Sequence, residues 1–279
     1  MLSLYKSKKL PAIKGLFNHS ERFDQGINTP GIKPETSVSV SVDGTGDFET
    51  ILEAVNELGS TGGIITIREG TYTIDTALVL VSNTTIQGTG KATKIVTTGN
   101  VAGIAIASGK TDITIKDIYL YGSGAGAANS GVTMQQANNG FIIENCWIEN
   151  FGANGLLLSG SNSIRVNNCV IKGNAGTGIF IQTFDFGATS GDENIITANT
   201  IDGNGSHGIH LSAAEMGHTS RNIMDGNMVI NNTGTGILIA LVKPASTADR
   251  NSIINNTVTG NGTAITDGGT NTTNANNTV

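Results

Sequence analysis

The sequence predicts an all-β fold, a single chain wound as a solenoid of short, stacked parallel strands, with a short N-terminal capping helix and an extended N-terminal arm. Three observations carry this reading. The composition is one of strands and tight turns: 38 Gly, 35 Thr and 30 Asn among 279 residues, with only 14% charged and 5% aromatic. The apolar stretches of the second half are three or four residues long, β-branched and alternating, too short for helices. From residue 113 onward the chain also repeats itself every 20–30 residues, the mark of a solenoid.

The same figures exclude other classes. A hydrophobic share of 38% is too high for a disordered chain. Glycine follows no G-X-Y period and there are four prolines, which excludes collagen. Lys+Arg 16 against Asp+Glu 22 gives −6, so no basic footprint for nucleic acid exists. No apolar run reaches the roughly 18 residues of a membrane span, so no membrane insertion is expected. Cys146 and Cys169 are too few for a disulfide scaffold and lack zinc-site spacing.

Residues 1–37 read as an arm or linker. They hold six basic and three acidic residues, three of the four prolines and no strand or helix period. Met1 to Phe17 is basic but lacks the apolar core of a secretion signal. The β-helix domain is expected over 38–279. Val38–Val42 alternates as a strand. Asp47 is the expected N-cap of a helix over 47–58, with Phe48, Ile51, Leu52, Val55 and Leu58 on one face and Gly59 closing it. Strands follow at Ile64–Ile67 and Thr73–Val81.

The repeat is clearest in Ile201-Asp202-Gly203-Asn204, followed by Gly208 and Ile209-His210-Leu211. Ile171 to Asn174 repeats it with Gly178 and Ile179-Phe180-Ile181, and Val229 to Asn232 with Gly236 and Ile237-Leu238-Ile239. The anchors Leu120, Ile148, Ile171, Ile201, Val229, Val258 and Val279 are spaced by 28, 23, 30, 28, 29 and 21 residues. A leucine-rich repeat needs Leu at several fixed positions, which are missing. A parallel β-helix with about three short strands per rung fits. Two residues before the anchors stand Cys146, Cys169, Asn199, Asn227, Asn256 and Asn277. Stacking brings them into a column about 4.8 Å apart, where Asn amides bond along the stack and Asn tolerates the left-handed turn conformation. The Cβ vectors of stacked Cys146 and Cys169 point the same way, so buried free thiols are expected rather than a disulfide.

This pattern resembles the right-handed parallel β-helix of the pectate-lyase-like superfamily. Asp43-Gly44-Thr45-Gly46-Asp47-Phe48-Glu49-Thr50-Ile51-Leu52-Glu53-Ala54-Val55, followed by Ile67-Arg68-Glu69-Gly70-Thr71-Tyr72, is similar to the opening segment of pectinesterases and of tailspike-like relatives. The resemblance implies that the helix caps the first end of the solenoid. It does not imply one activity, because this fold carries lyases, hydrolases, esterases, epimerases, tailspikes and non-catalytic proteins. The pectinesterase blocks Gln-Asp-Thr-Leu and Gly-Arg-Pro-Trp do not occur, and Asp185-Phe186-Gly187 is only loosely similar to a third. No outward Arg is expected on the repeat strands, and the Asp-Asp pair of the hydrolases is not found.

Alternation assigns Thr133, Leu157, Phe180, His210, Leu238 and Thr266 to one outer row. That row is mostly apolar, as on a covered surface. Three successive rungs insert extra length at one edge, Thr183–Glu193, Ser212–Arg221 and Ala240–Arg250, and insertions on one face of a solenoid often make its binding face. The candidate catalytic set is Asp185, His210 and Glu215, an acid/base group for glycoside or uronic-acid chemistry. Candidate substrate-binding residues are Phe180, Phe184, Phe186, His207, His218 and Lys243. The bland reading of the same edge is that Asp192, Glu193, Arg221, Asp249 and Arg250 pair across adjacent rungs. No cofactor and no metal is expected. The last rung, with Thr273-Asn274-Ala275 where the previous one has Ser252-Ile253-Ile254, is expected to be solvated or covered by a partner.

The expected function is a structural or receptor-binding β-helix of an extracellular or virion-associated assembly, a phage or virus tail spike, fibre or surface protein contacting a polysaccharide or cell-surface glycan. A homo-oligomer is expected, a trimer by preference. The alternative is a polysaccharide lyase or glycoside hydrolase acting at the 183–250 loop edge.

Overall fold

The computed structural model describes residues 36–279 apart from 124–128, 137, 184–189, 215–216 and 243–245. The arm expected over 1–37 therefore falls outside the described residues, except at its last two positions. Over the described residues the chain is a parallel solenoid. The first sheet has ten strands and the second and third have eight each. Each rung visits them in turn, as in Ile195–Thr197, Thr200–Asp202 and Ile209–Ala213. Each strand pairs in parallel with its counterpart in the next rung, so Ile171 meets Ile201 and Ile201 meets Val229.

The corners explain the composition. From the strand Thr111–Lys116 onward, the link between the first and second sheets is two residues long. Its first residue is left-handed, with φ between 51° and 64° in Asn145, Asn168, Ala198, Gly226, Asn255 and Asn276. Asn and Gly reach that region at least cost. The second residue turns inward and forms the Cys/Asn column. The sequence reading gave the left-handed role to the column residues; the residue ahead of each takes it.

The anchors are the inward middle residues of the second sheet. Leu120, Ile148, Ile171, Ile201, Val229 and Val258 are all fully buried. Register extends their column back to Ile95 and Tyr72. Val279 is the exception, at 73% exposed. Along the Asn column, Asn199 Nδ2 donates to Asn227 Oδ1 at 3.0 Å, Asn227 to Asn256 at 2.9 Å and Asn256 to Asn277 at 3.0 Å. Two further ladders lie at other corners. Asn174, Asn204, Asn232 and Asn261 follow the second sheet, and Asn194, Asn222 and Asn251 precede the first. Cys146 and Cys169 are free, buried thiols. Burial holds the Cys146 thiol well above the usual range.

On five successive rungs a glycine stands just before the first inward residue of the third-sheet strand, for a different reason. Gly131, Gly155, Gly178, Gly208 and Gly236 lie where the backbone of one rung meets that of the next. A Cβ on Gly178 would come 2.6 Å from Ile201 Cγ2 and 2.8 Å from the Gly208 carbonyl oxygen.

The helix spans Ile51–Leu58 and starts about one turn later than expected. Thr50, not Asp47, is its N-cap: the Thr50 hydroxyl oxygen accepts from Glu53 N at 3.2 Å and its O–H donates to the Glu53 carboxylate at 3.0 Å. Asp47 instead accepts from Ser39 N at 2.9 Å and Ser39 Oγ at 2.8 Å. Ile51, Ala54 and Leu58 are buried, while Phe48, Leu52 and Val55 are partly buried against the same core. The helix covers strands Ser37–Val40, Gly63–Ile67 and Leu78–Leu80 at the first end of the stack. One expectation fails on the first sheet: Arg165 is an outward, exposed arginine on the repeat strand Arg165–Asn167.

Candidate functional site

The third sheet builds the row that alternation assigned. Val79, Ala105, Thr133, Leu157, Phe180, His210, Leu238 and Thr266 are register partners up one outer column. Leu157, Phe180, His210 and Leu238 are half-buried. Because Phe180 and His210 are in register, their rings stack, with centroids 4.7 Å apart and planes 16° apart. His207, in the turn just before the strand, meets His210 edge-on at 5.0 Å. Its Nδ1 accepts from Thr235 N of the next rung at 2.9 Å, which requires that nitrogen to be unprotonated.

This environment sets the charge of the site. Burial, and then the neighbouring His207 ring, push the His210 pKa down to about 4. Burial lowers that of His207 as well. His210 Nε2 is buried and has no hydrogen-bond partner among the described residues. At neutral pH both imidazoles are uncharged, and Phe180 and His210 form a stacked, neutral platform with His207 edge-on beside it. The sign of the pH effect follows. The folded pKa lies below the ordinary 6.5, so the unfolded chain binds the extra proton first. The stability due to neutral His210 is present above about pH 6.5 and is lost as pH falls through about 4. Urea unfolding across pH 4–7 is expected to show this slope, and His210→Phe is expected to flatten it.

The loop edge holds a second group. Ser190, His218 and Thr247 of successive insertions pair as isolated parallel bridges, so the insertions stack like the rungs. His218 Nδ1 lies 2.8 Å from Asp192 Oδ2, and Asp192 Oδ1 accepts from Ser220 N at 2.7 Å. Arg221 reaches back one rung to Asp192 at 3.5 Å and to Glu193 at 3.0 Å. The cross-rung pairing thus occurs at Arg221, whereas Arg250 binds its own neighbour Asp249 at 2.7 Å. The buried Asp192 carboxylate orients a half-exposed imidazole. That arrangement is able to move a proton at the far ring nitrogen.

Of the sequence candidates, the structure brings Phe180, His207 and His210 together and gives His218 its own partner, Asp192. Phe184, Asp185, Phe186, Glu215 and Lys243 lie outside the described residues. Among the described residues no cluster of His, Cys, Asp and Glu has the geometry of a metal site.

One patch was missed. Tyr119, Tyr121 and Trp147 flank the inward anchors Leu120 and Ile148, so all three face outward from the second sheet. Tyr119 and Tyr121 meet edge-on at 5.9 Å, and Trp147 is the register partner of Tyr119. Alternation around each anchor was the signal that would have found them.

Comparison with known proteins agrees with this architecture. A family model described as the right handed beta helix region matches residues 40–190 and 182–279. Solved structures of similar shape include ORF18 of Geobacillus virus E2, at 16% identity and TM-score 0.58 over 81% of this chain and 56% of that one. Pectin methylesterase from carrot aligns at 17% identity and TM-score 0.52, over 90% and 85% of the two chains. The A-module of the mannuronan C-5 epimerase AlgE4 of Azotobacter vinelandii aligns at 18% identity and TM-score 0.51, over 77% and 67%. The chain spans just over half the length of the viral protein. No curated protein matches it in sequence. At these identities the likeness speaks for the fold.

Proposed function

The chain belongs to the right-handed β-helix family, and from that premise we propose that it is a glycan-contacting structural β-helix of an extracellular or virion-associated assembly, a tail spike, fibre or surface protein that works as a homo-oligomer, with a trimer favoured. The observation that carries the reading is the third-sheet row. Leu157, Phe180, His210 and Leu238 form a half-buried apolar column whose only titratable member is neutral at pH 7. Such a stripe suits the C–H faces of sugar rings or the face of a neighbouring subunit. A viral protein and two proteins named for pectin and mannuronan among the structures of similar shape support it.

Two measurements test it. Phe180→Ala and His210→Ala are expected to weaken binding on a glycan array by about tenfold, with no reducing ends released by the parent chain. Sedimentation is expected to show an oligomer, and a stable monomer at micromolar concentration would sink the assembly reading.

The Asp192–His218 pair favours a second reading, a polysaccharide lyase or hydrolase at the loop edge that also draws on Asp185, His210 and Glu215. It requires reducing-end release that is lost in His218→Ala and in Asp192→Asn. Release that survives both changes removes the pair from the mechanism.

A further inference from the structure

Tyr119, Tyr121 and Trp147, the chain's one tryptophan, lie on the outer face of the second sheet beside two lysines that make no ion pair among the described residues, Lys94 on the strand Thr93–Thr97 and Lys91 in the short turn Gly90–Ala92 before it. Lys94 Nζ stands 4.1 Å from the centre of the Tyr121 ring and 5.0 Å from that of Tyr119. Lys91 Nζ stands 5.0 Å from the Trp147 ring. Two carboxylates of these rungs have partners of their own, one a cation and one a neutral amide. Glu149 accepts from the Tyr119 hydroxyl at 2.7 Å and pairs with Lys172 at 3.5 Å, and Asp117 accepts from Asn145 Nδ2 at 3.1 Å. A chain of net charge −6 thus presents here a local patch of rings with two ammonium groups that form no ion pair among the described residues.

Register gives the patch a repeat. Lys94, Tyr119 and Trp147 occupy one column, and Val96, Tyr121 and Glu149 the next but one position along the same strands. Successive rungs place these side chains about 4.8 Å apart, a step on the scale of one sugar ring. An aromatic face takes the C–H face of a pyranose, and an ammonium beside it takes a carboxylate or sulfate on the same ring. A purely apolar partner would bury two unpaired charges at a cost. Single-stranded nucleic acid also uses rings and cations, but it tracks a long basic groove, and here the cations are few and the chain is acidic.

We propose that this face binds an acidic polysaccharide, through Trp147, Tyr119 and Tyr121 as ring platform and Lys91 and Lys94 as anion contacts. The site is separate from the third-sheet row and stands whether or not that row binds glycan. Trp147 is its own reporter, because it is the sole tryptophan.

Titration of the full-length chain with oligogalacturonate, oligoalginate and a sulfated oligosaccharide is expected to give a saturable change in tryptophan fluorescence with at least one of them. The change weakens with added salt and is absent with fully methyl-esterified oligogalacturonate. The Lys91→Gln/Lys94→Gln double variant, which removes both ammonium groups and their ring contacts, is expected to raise Kd about tenfold or more, while Lys116→Gln on the first sheet leaves it unchanged. The proposal is overturned by no response to any of the three probes, by an equal response to the ester, by an unchanged Kd in the double variant, or by tighter binding of oligo(dT) than of every acidic glycan.

Discussion

Replacing Asn227 with alanine is expected to destabilise the protein by about 3–5 kcal/mol, although the residue is neither catalytic nor part of the apolar core. Asn227 is 1% exposed, and its side chain makes four hydrogen bonds. Oδ1 accepts from the backbone N and the Nδ2 of Asn199, each at 3.0 Å. Nδ2 donates to the Ile196 carbonyl at 2.8 Å and to Asn256 Oδ1 at 2.9 Å. Alanine removes all four together, and leaves two donors and a carbonyl in a site that water does not reach. Each such group costs about 1–3 kcal/mol. Urea denaturation is the measurement, and a loss below about 1 kcal/mol would show that the ladder relaxes around the gap. Asn227→Asp separates hydrogen bonding from volume. The carboxylate keeps the shape and the two acceptor bonds but faces two oxygens that it cannot satisfy while ionised. Its burial raises its pKa, so the loss is expected to be largest near neutral pH and to shrink as pH falls and the group protonates.

Gly208→Ala is expected to cost about 2–3 kcal/mol, well above Gly203→Ala five positions earlier in the same turn. The two glycines are there for different reasons. Gly203 has φ of 63° and nothing within 4 Å of an added Cβ, so alanine pays only the left-handed penalty of about 1 kcal/mol. Gly208 has no such backbone requirement. An added Cβ would run into Val229 Cγ1 and stand 2.5 Å from the Gly236 carbonyl oxygen. Backbone of the next rung is unable to yield without breaking register on both sides. Thermal unfolding of the two variants compares the effects directly, and equal losses would rule out the close-approach explanation.

Much of the fold was legible because a solenoid writes its contacts at a fixed offset in the sequence. The anchor spacings found by repeat matching are the register offsets of the second sheet, from Leu120 to Val258. The Asn199 column was visible for the same reason, since one residue type recurred at one position. The ladders at Asn174 and Asn194 were not read, although they obey the same rule. The helix start was misplaced because Asp47 and Thr50 are both good caps, and the choice depends on Ser39, which is distant in sequence and occupies Asp47. The candidate site was less legible. In-register placement of Phe180 and His210 followed from the repeat, but the depressed pKa of His210 depends on how its neighbours bury it. The Asp192–His218 contact joins two irregular insertions, where no period exists to read. The ring patch on the second sheet carries no repeat signal, because its aromatic residues flank the anchors on two rungs only, at Leu120 and Ile148.

The ladders also determine how the molecule comes apart. Their inter-rung bonds join residues only 21–33 positions apart in sequence, whichever rung is considered. The chain therefore behaves as a one-dimensional zipper in which each turn leans only on its neighbours. Its effective contact order is that of a much smaller protein, so lengthening the stack need not slow its folding in proportion. Damage in one turn is screened from distant ones, and hydrogen exchange should record a gradient of protection rising from the frayed ends to the central turns.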